Sequence, residues 1–173
     1  MVKKLPSAIS EEDFVKLIKN TKKEHHKLAF LLGWGAGLRI SEVLNLRPED
    51  INFKEKKIFI KQGKGGKDRI VPLPKGFKEK HLELLPFKFK SLKSGSRALE
   101  IAFKNAIRKA GLHEIKPDLH FHSLRHGFGS QLAKKGMPIH HIRTLMGHSN
   151  ISTTNVYLEL NPDEAIKKYE ELF

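Results

Sequence analysis

Six side chains in this sequence carry the chemistry of phosphoryl transfer: Arg39, Lys64, His122, Arg125, His148 and Tyr157. Guanidinium groups stabilise the charge that builds on phosphate oxygens. A lysine or histidine moves a proton at the right moment. A tyrosine hydroxyl serves as a covalent nucleophile. The set needs no metal ion and no cofactor.

Each member also has a plainer reading. Arg39 follows an apolar stretch, where an unpaired charge is costly; it either bridges to Glu42, three residues along a helix, or binds an anion, and the spacing alone allows both. Lys64 and Lys67 lie in Gly63-Lys-Gly-Gly-Lys67, where small neighbours permit close approach to a phosphate backbone but equally suit a solvated turn. This is no P-loop, because the glycines lie between strands and open no helix. His122 and His126 have the i, i+4 spacing of metal ligands, but the glutamate of a zincin motif is absent, and histidines with Arg125 at a helix start suit an anion better. Taken singly, His148 reads as a helix C-terminal residue and Tyr157 as a packing residue. The glycines at 33, 35 and 37 follow an apolar helix rather than a strand, which rules out a dinucleotide fingerprint.

The surroundings favour the anion. The chain has 173 residues and a formal net charge of +14, which favours a polyanionic partner. A membrane surface fits less well, because the longest apolar run, Leu28 to Ala36, is too short to span a bilayer. Met1 to Ser10 has no apolar signal core. There is no cysteine, so disulfides and thiolate metal sites are excluded. A cytoplasmic protein of one domain, residues 1–173, is the expectation.

The elements that must hold these residues read as mainly α with a small antiparallel β-hairpin or sheet. Ser10 to Asp13 has the form of a capping box, opening a helix to about Thr21. Lys27 to Gly37 is a buried helix, and a short one carrying Arg39, Ser41 and Glu42 stops at Arg47-Pro48. Lys57 to Gln62 and Asp68 to Leu73 form the hairpin. Pro74 to Ser94 reads as mostly loop. Arg97 to Ala110 is a helix ended by Gly111, with Leu99, Phe103, Ala106 and Ala110 as its apolar stripe and Arg97, Lys104 and Arg108 opposite. Helices follow over His122 to Lys135, Pro138 to Met146, Ser152 to Leu160 and Pro162 to Leu172. The last has an apolar stripe of Ala165, Ile166, Tyr169, Leu172 and Phe173.

In order along the chain, five motifs resemble those of tyrosine recombinases, the phage integrase family. Gly37-Leu-Arg-Ile-Ser-Glu-Val-Leu-Asn-Leu46 looks like the first arginine motif. Gly63-Lys-Gly-Gly-Lys-Asp-Arg-Ile-Val-Pro-Leu73 is similar to the catalytic-lysine hairpin. His122-Ser-Leu-Arg125 resembles the His-x-x-Arg motif, Leu145-Met-Gly-His-Ser149 the second histidine box, and Ile151-Ser-Thr-Thr-Asn-Val-Tyr157 the nucleophile box. The likeness is to Xer-type and archaeal integrases.

The resemblance implies site-specific cleavage and rejoining of double-stranded DNA. Tyr157 is the nucleophile and forms a 3′-phosphotyrosyl link. Arg39 and Arg125 clamp the phosphate, Lys64 protonates the leaving 5′-oxygen, His122 handles the tyrosine proton or holds the phosphate, and His148 donates a further hydrogen bond. Glu42 orients the cluster. DNA contacts are expected from Lys67, Arg69, Arg97, Lys104 and Arg108. The resemblance also implies a DNA-bound dimer or tetramer that exchanges its C-terminal helix. Set against the resemblance, the expectation is a chain without the family's N-terminal DNA-clasping domain, as in an excised catalytic domain or a short form. Two alternatives use the same residues: a type IB topoisomerase-like relaxase, and a catalytically silent DNA-binding decoy.

Overall fold

The computed structural model describes residues 8–61, 68–147 and 162–173. Lys64, Lys67, His148, Tyr157 and the helix expected over Ser152 to Leu160 lie outside the described residues. Eight α-helices are described: α1 (Glu11–Lys19), α2 (Glu24–Gly35), α3 (Ile40–Asn45), α4 (Leu92–Lys109), α5 (Leu112–Ile115), α6 (His122–Lys134), α7 (Ile139–Met146) and α8 (Pro162–Leu172). Strands β1 (Ile51–Asn52), β2 (Lys57–Ile60) and β3 (Arg69–Pro72) form one antiparallel sheet in the order β1-β2-β3. The fold is thus mainly α with a small antiparallel sheet, as the sequence led us to expect.

Local sequence explains most of these boundaries. The Ser10 hydroxyl accepts the Asp13 amide, and the Asp13 carboxylate accepts the Ser10 amide, which satisfies two of the free donors at the start of α1. Gly111 and Gly136 take positive φ just past α4 and α6 and end them. In the hairpin, Ile58 pairs with Val71 and Ile60 with Arg69. Ile58 and Ile60 are buried while Phe59 between them is 37% exposed, the alternation of a sheet with one face on the core.

Helix α2 runs over Glu24–Gly35 rather than Lys27 to Gly37, and two further differences from the sequence reading are larger. Helix α4 begins at Leu92 rather than Arg97, capped by the Ser91 hydroxyl, which accepts the Ser94 amide. The stretch before it is not all loop, because Glu79–Leu84 forms a 3-10 helix.

Two apolar clusters hold the chain together. The larger gathers residues from α1 to α6 and the sheet, with Phe30, Phe103 and Phe121 packed edge to face at its centre. The smaller joins Phe128 and Leu132 of α6 and Ile142, Leu145 and Met146 of α7 to Ala165, Ile166 and Tyr169 of α8. The stripe on α8 therefore packs on its own domain, against α7 and β3.

Candidate active site

The site is assembled where α2 turns into α3. Gly37 makes that turn with φ +66, and a β-carbon there would lie 2.5 Å from the Phe128 ring. Both the backbone and the space demand glycine. Arg39 then stands at the head of α3, and Glu42 folds back onto it. The Glu42 Oε2 accepts the Arg39 amide at 2.7 Å, and Oε1 accepts Nη1 of the Arg39 guanidinium at 2.9 Å. The salt bridge that was one of two readings of Arg39 is present.

A second arginine grips the same carboxylate. From β3, Arg69 donates Nη1 to Glu42 Oε1 at 2.6 Å and Nη2 to Oε2 at 2.8 Å, and its Nε donates to the Leu145 carbonyl at 3.1 Å. The Glu42 carboxylate thus accepts four hydrogen bonds. Burial alone would raise its pKa; the Arg69 fork, and after it the amide and guanidinium of Arg39, outweigh burial and hold it down at about 2.

Arg125 approaches from α6. It is 1% exposed, donates Nη1 to the Gly37 carbonyl at 2.5 Å, and donates Nη2 to the Met146 carbonyl. Arg39 reaches the next carbonyl, Gly147, with Nη2 at 3.4 Å. Arg69, Arg125 and Arg39 therefore meet the carbonyls of Leu145, Met146 and Gly147 in turn. These close α7, which ends at Gly147 with φ +61. The last carbonyls of a helix lack helical partners and lie at the negative end of its dipole, so cationic donors belong there. Burial first, then repulsion from Arg39 and Arg69, pushes Arg125 down to about 9, so it stays charged at neutral pH.

Three guanidiniums against one carboxylate leave a net excess of two positive charges in this cluster. Such an excess of positive charge favours an anion beside Arg39, whose side chain is 19% exposed. His122 stands on the solvent side of α6, its ring 4.7 Å from that of His126 and edge-on to it. Partial burial, followed by the charges of His126 and Arg125, holds His122 below its ordinary pKa. Its neutral, proton-accepting form is therefore favoured at neutral pH. Among the described residues no group of three or more His, Asp or Glu is arranged to hold a metal ion.

Of the twelve residues singled out in the sequence, the structure brings Arg39, Glu42, Arg69 and Arg125 into one network, with His122 at its edge. Lys64, Lys67, His148 and Tyr157 lie outside the described residues. Arg97, Lys104 and Arg108 are exposed on α4, with the exposed Ile101 among them. Arg69 departs from the expectation of a DNA contact. Its side chain is 9% exposed, and its fork is turned inward onto Glu42 and Leu145. A signal for this was present: on a strand Arg69 shares its face with Val71, which is fully buried.

This helical domain, with its three-stranded sheet and three arginines gathered about one glutamate, has relatives in both sequence and structure. The sequence matches the phage integrase family over residues 7–164, and the chain belongs to that family. It is 34% identical over 182 residues to the tyrosine recombinase XerA of Pyrococcus horikoshii, an alignment covering 96% of this chain and 62% of that protein. The crystal structure of a XerA recombinase superposes with a TM-score of 0.65 at 25% identity, covering 97% of this chain and 65% of that one. The XerH site-specific recombinase bound to its difH substrate superposes with a TM-score of 0.69 at 24% identity, over 98% of this chain and 55% of that one. The chain thus spans less than two thirds of the length of these relatives.

Proposed function

We propose that this chain cuts and rejoins double-stranded DNA at specific sites through a 3′-phosphotyrosyl intermediate. The observation that carries the reading is the convergence of Arg39 and Arg125 on the adjacent carbonyls of Gly147 and Met146. Two arginines from motifs 86 residues apart (125 − 39) meet at one place, and the chain leads from there into His148 and the segment that carries Tyr157. The relatives bearing the name tyrosine recombinase support the same reading.

In this mechanism the Tyr157 hydroxyl oxygen attacks the scissile phosphorus, and the bond to the 5′-oxygen breaks. Arg39 and Arg125 hold the non-bridging oxygens as charge builds on them. Lys64 gives its proton to the leaving 5′-oxygen, and His148 adds a hydrogen bond to the phosphate. The neutral imidazole of His122 accepts the tyrosine proton. A 5′-hydroxyl of a partner duplex then attacks the phosphotyrosine and restores the tyrosine. The phosphodiester energy is conserved in the protein–DNA link, so no nucleotide cofactor is required.

The partners in this reading are DNA, contacted by Lys67, Arg97, Lys104 and Arg108, and further copies of the chain. The protomers form a dimer or tetramer on DNA and exchange α8 between neighbours. The α8 stripe is buried on its own domain in the structure, and exchange would keep an equivalent surface buried at the cost of re-aiming the preceding segment.

The test is a nicked suicide duplex that traps the covalent product. Wild-type protein is expected to give an adduct on Tyr157, and Tyr157→Phe to bind the duplex without forming one. An adduct that persists in Tyr157→Phe would overturn the assignment.

A further inference from the structure

We propose that Arg69 is a positioning residue for the strand-cleavage reaction: it fixes the Glu42 carboxylate that holds Arg39, and at the same time fixes the end of α7. The proposal rests on the reading of the site as a phosphoryl-transfer centre. It gives Arg69 a task different from touching DNA.

The geometry carries the argument. All three nitrogens of the guanidinium are engaged: Nη1 and Nη2 on the two oxygens of Glu42, and Nε on the Leu145 carbonyl. A bidentate fork fixes the plane of a carboxylate as well as its position. Once that plane is set, Oε1 and Oε2 offer one remaining direction each, and both point to Arg39, to its guanidinium and its amide. Without Arg69, Glu42 would keep Arg39 as its one cationic hydrogen-bond partner and could follow it into other rotamers. The orientation of Arg39 is thus set by a residue it does not touch.

The same side chain supports the other half of the site. Its Cδ lies 2.7 Å from where a β-carbon on Gly147 would stand, and its Nε 3.1 Å away. Gly147 therefore settles directly on the Arg69 side chain, and any larger residue would displace it. One arginine on β3 thus contacts the carboxylate behind Arg39, the carbonyl of Leu145 and the backbone of Gly147. From β3 it registers the sheet against α3 and the end of α7. Its pairing partner on β2, Ile60, is buried, so the strand cannot easily shift and take the arginine with it.

Arg69→Lys and Arg69→Gln test the idea against wild type, in single-turnover cleavage of a suicide duplex at saturating protein, in duplex binding over a range of salt, and in the titration of the labelled Glu42 carboxyl. Lysine keeps the charge and loses the fork. Both variants are expected to cleave about 10²-fold slower, the scale of a small misplacement of a catalytic group. Binding affinity and its salt slope should stay at wild-type values. The Glu42 carboxyl should titrate at higher pH in Arg69→Gln than in wild type, with Arg69→Lys between them. Adding Glu42→Gln to Arg69→Gln should slow cleavage little further, because the two act as one unit.

Cleavage at the wild-type rate in Arg69→Lys would overturn the proposal. So would a salt slope reduced by about one unit, the mark of a lost phosphate contact. If wild type itself formed no adduct on any suicide duplex, the recombinase reading would fall; an unmoved Glu42 titration would instead refute the positioning by Arg69. If Arg69→Gln does not fold, Arg69→Lys carries all three readouts.

Discussion

The arginine cluster and the seat of α8 lie side by side, and they are built on opposite principles. In the cluster, buried polar groups are held by directional bonds: four hydrogen bonds on Glu42 and one arginine for each of three consecutive carbonyls. Under α8 the contact is mainly an apolar stripe, with one long buried hydrogen bond from the Tyr169 hydroxyl to the Gly35 carbonyl at 3.4 Å and polar contacts at its rim, Lys57 to Asp163 at 3.0 Å, Lys56 to Glu170 at 3.6 Å and Lys135 to the Leu172 carbonyl at 2.8 Å. Directional bonds between buried groups specify one geometry and penalise any other. Apolar contact is non-directional and can be re-formed on a similar surface elsewhere. The difference makes the cluster the more tightly specified of the two, and the exchange of α8 proposed above requires that contrast. Leu145 belongs to both: its side chain lies in the cluster under α8 and its carbonyl on Arg69.

The largest effect that tests this contrast is expected at Arg125. Arg125→Ala should slow cleavage by about 10²–10³-fold, as for loss of one preorganised donor to a charge-building oxygen. Because Arg125 is buried, the same change should lower unfolding free energy by about 3 kcal/mol or more. Arg39→Ala, half-buried, should show the first effect with less of the second. Single-turnover cleavage and urea unfolding check both. Near wild-type cleavage in either variant would remove it from the phosphate clamp, and an undiminished stability in Arg125→Ala would mean that the cluster is not the rigid region.

Glu42 gives the cluster a pH signature. Its carboxyl is held at about 2 against an ordinary value of 4.5. A depressed carboxyl pKa contributes stability that is fully present above the unfolded value and is lost as pH falls through the folded one. The contribution should therefore fade between about pH 4.5 and pH 2, and the shift corresponds to about 3 kcal/mol. Glu42→Gln should be less stable than wild type at pH 7, with the gap closing on acidification. A gap that stays constant down to pH 2 would show that the paired carboxylate is not what the cluster is built on.

A smaller effect is expected at α4, outside both regions. Arg97, Lys104 and Arg108 are exposed and make no contact that the cluster uses. Replacing any one by Ala should weaken duplex binding across sequences and lower the salt slope by about one unit if it meets a phosphate. Cleavage at saturating protein should be unchanged. Unchanged slopes in all three variants would make this face a solvated one.

How much of this could be read from the sequence depends on how local each feature is. The capping box of α1, the glycine ends of α4 and α6 and the stripe of α8 are set by residues within a few positions of each other, and all were legible. The start of α4 was hidden because Ser94, Gly95 and Ser96 are weak or neutral helix formers. Gly95 is there for space: a β-carbon would lie 2.9 Å from Leu44 and 3.0 Å from Phe89, which only tertiary packing reveals. Strand β1 has two residues, too short to show a period. The site residues were legible as motifs, but the arrangement was not. In a chain with 33 lysines and arginines every cation looks like a DNA contact, and the partner of Arg69 lies 27 residues away.

The smallest effect should fall on the rim of α8, and there the contrast can be drawn most finely. Asp163 Oδ1 meets Lys57 Nζ at 3.0 Å with the aspartate side chain 68% exposed, so water and salt screen the pair. Asp163→Asn should leave the global unfolding midpoint at its wild-type value. Local release of α8 is a smaller opening than unfolding, so a weak contact is a larger share of what opposes it. Amide exchange in α8 should then rise roughly twofold in the variant, an effect the size of one exposed ion pair. Exchange in α6, behind Arg125, should not change. Added salt should raise α8 exchange in wild type and do less in Asp163→Asn, because the screened pair is already gone. If α8 and α6 amides exchanged at one common rate in wild type, both would open only by global unfolding. The helix would then be as fixed as the arginine cluster, and exchange between protomers would have to begin from an unfolded domain.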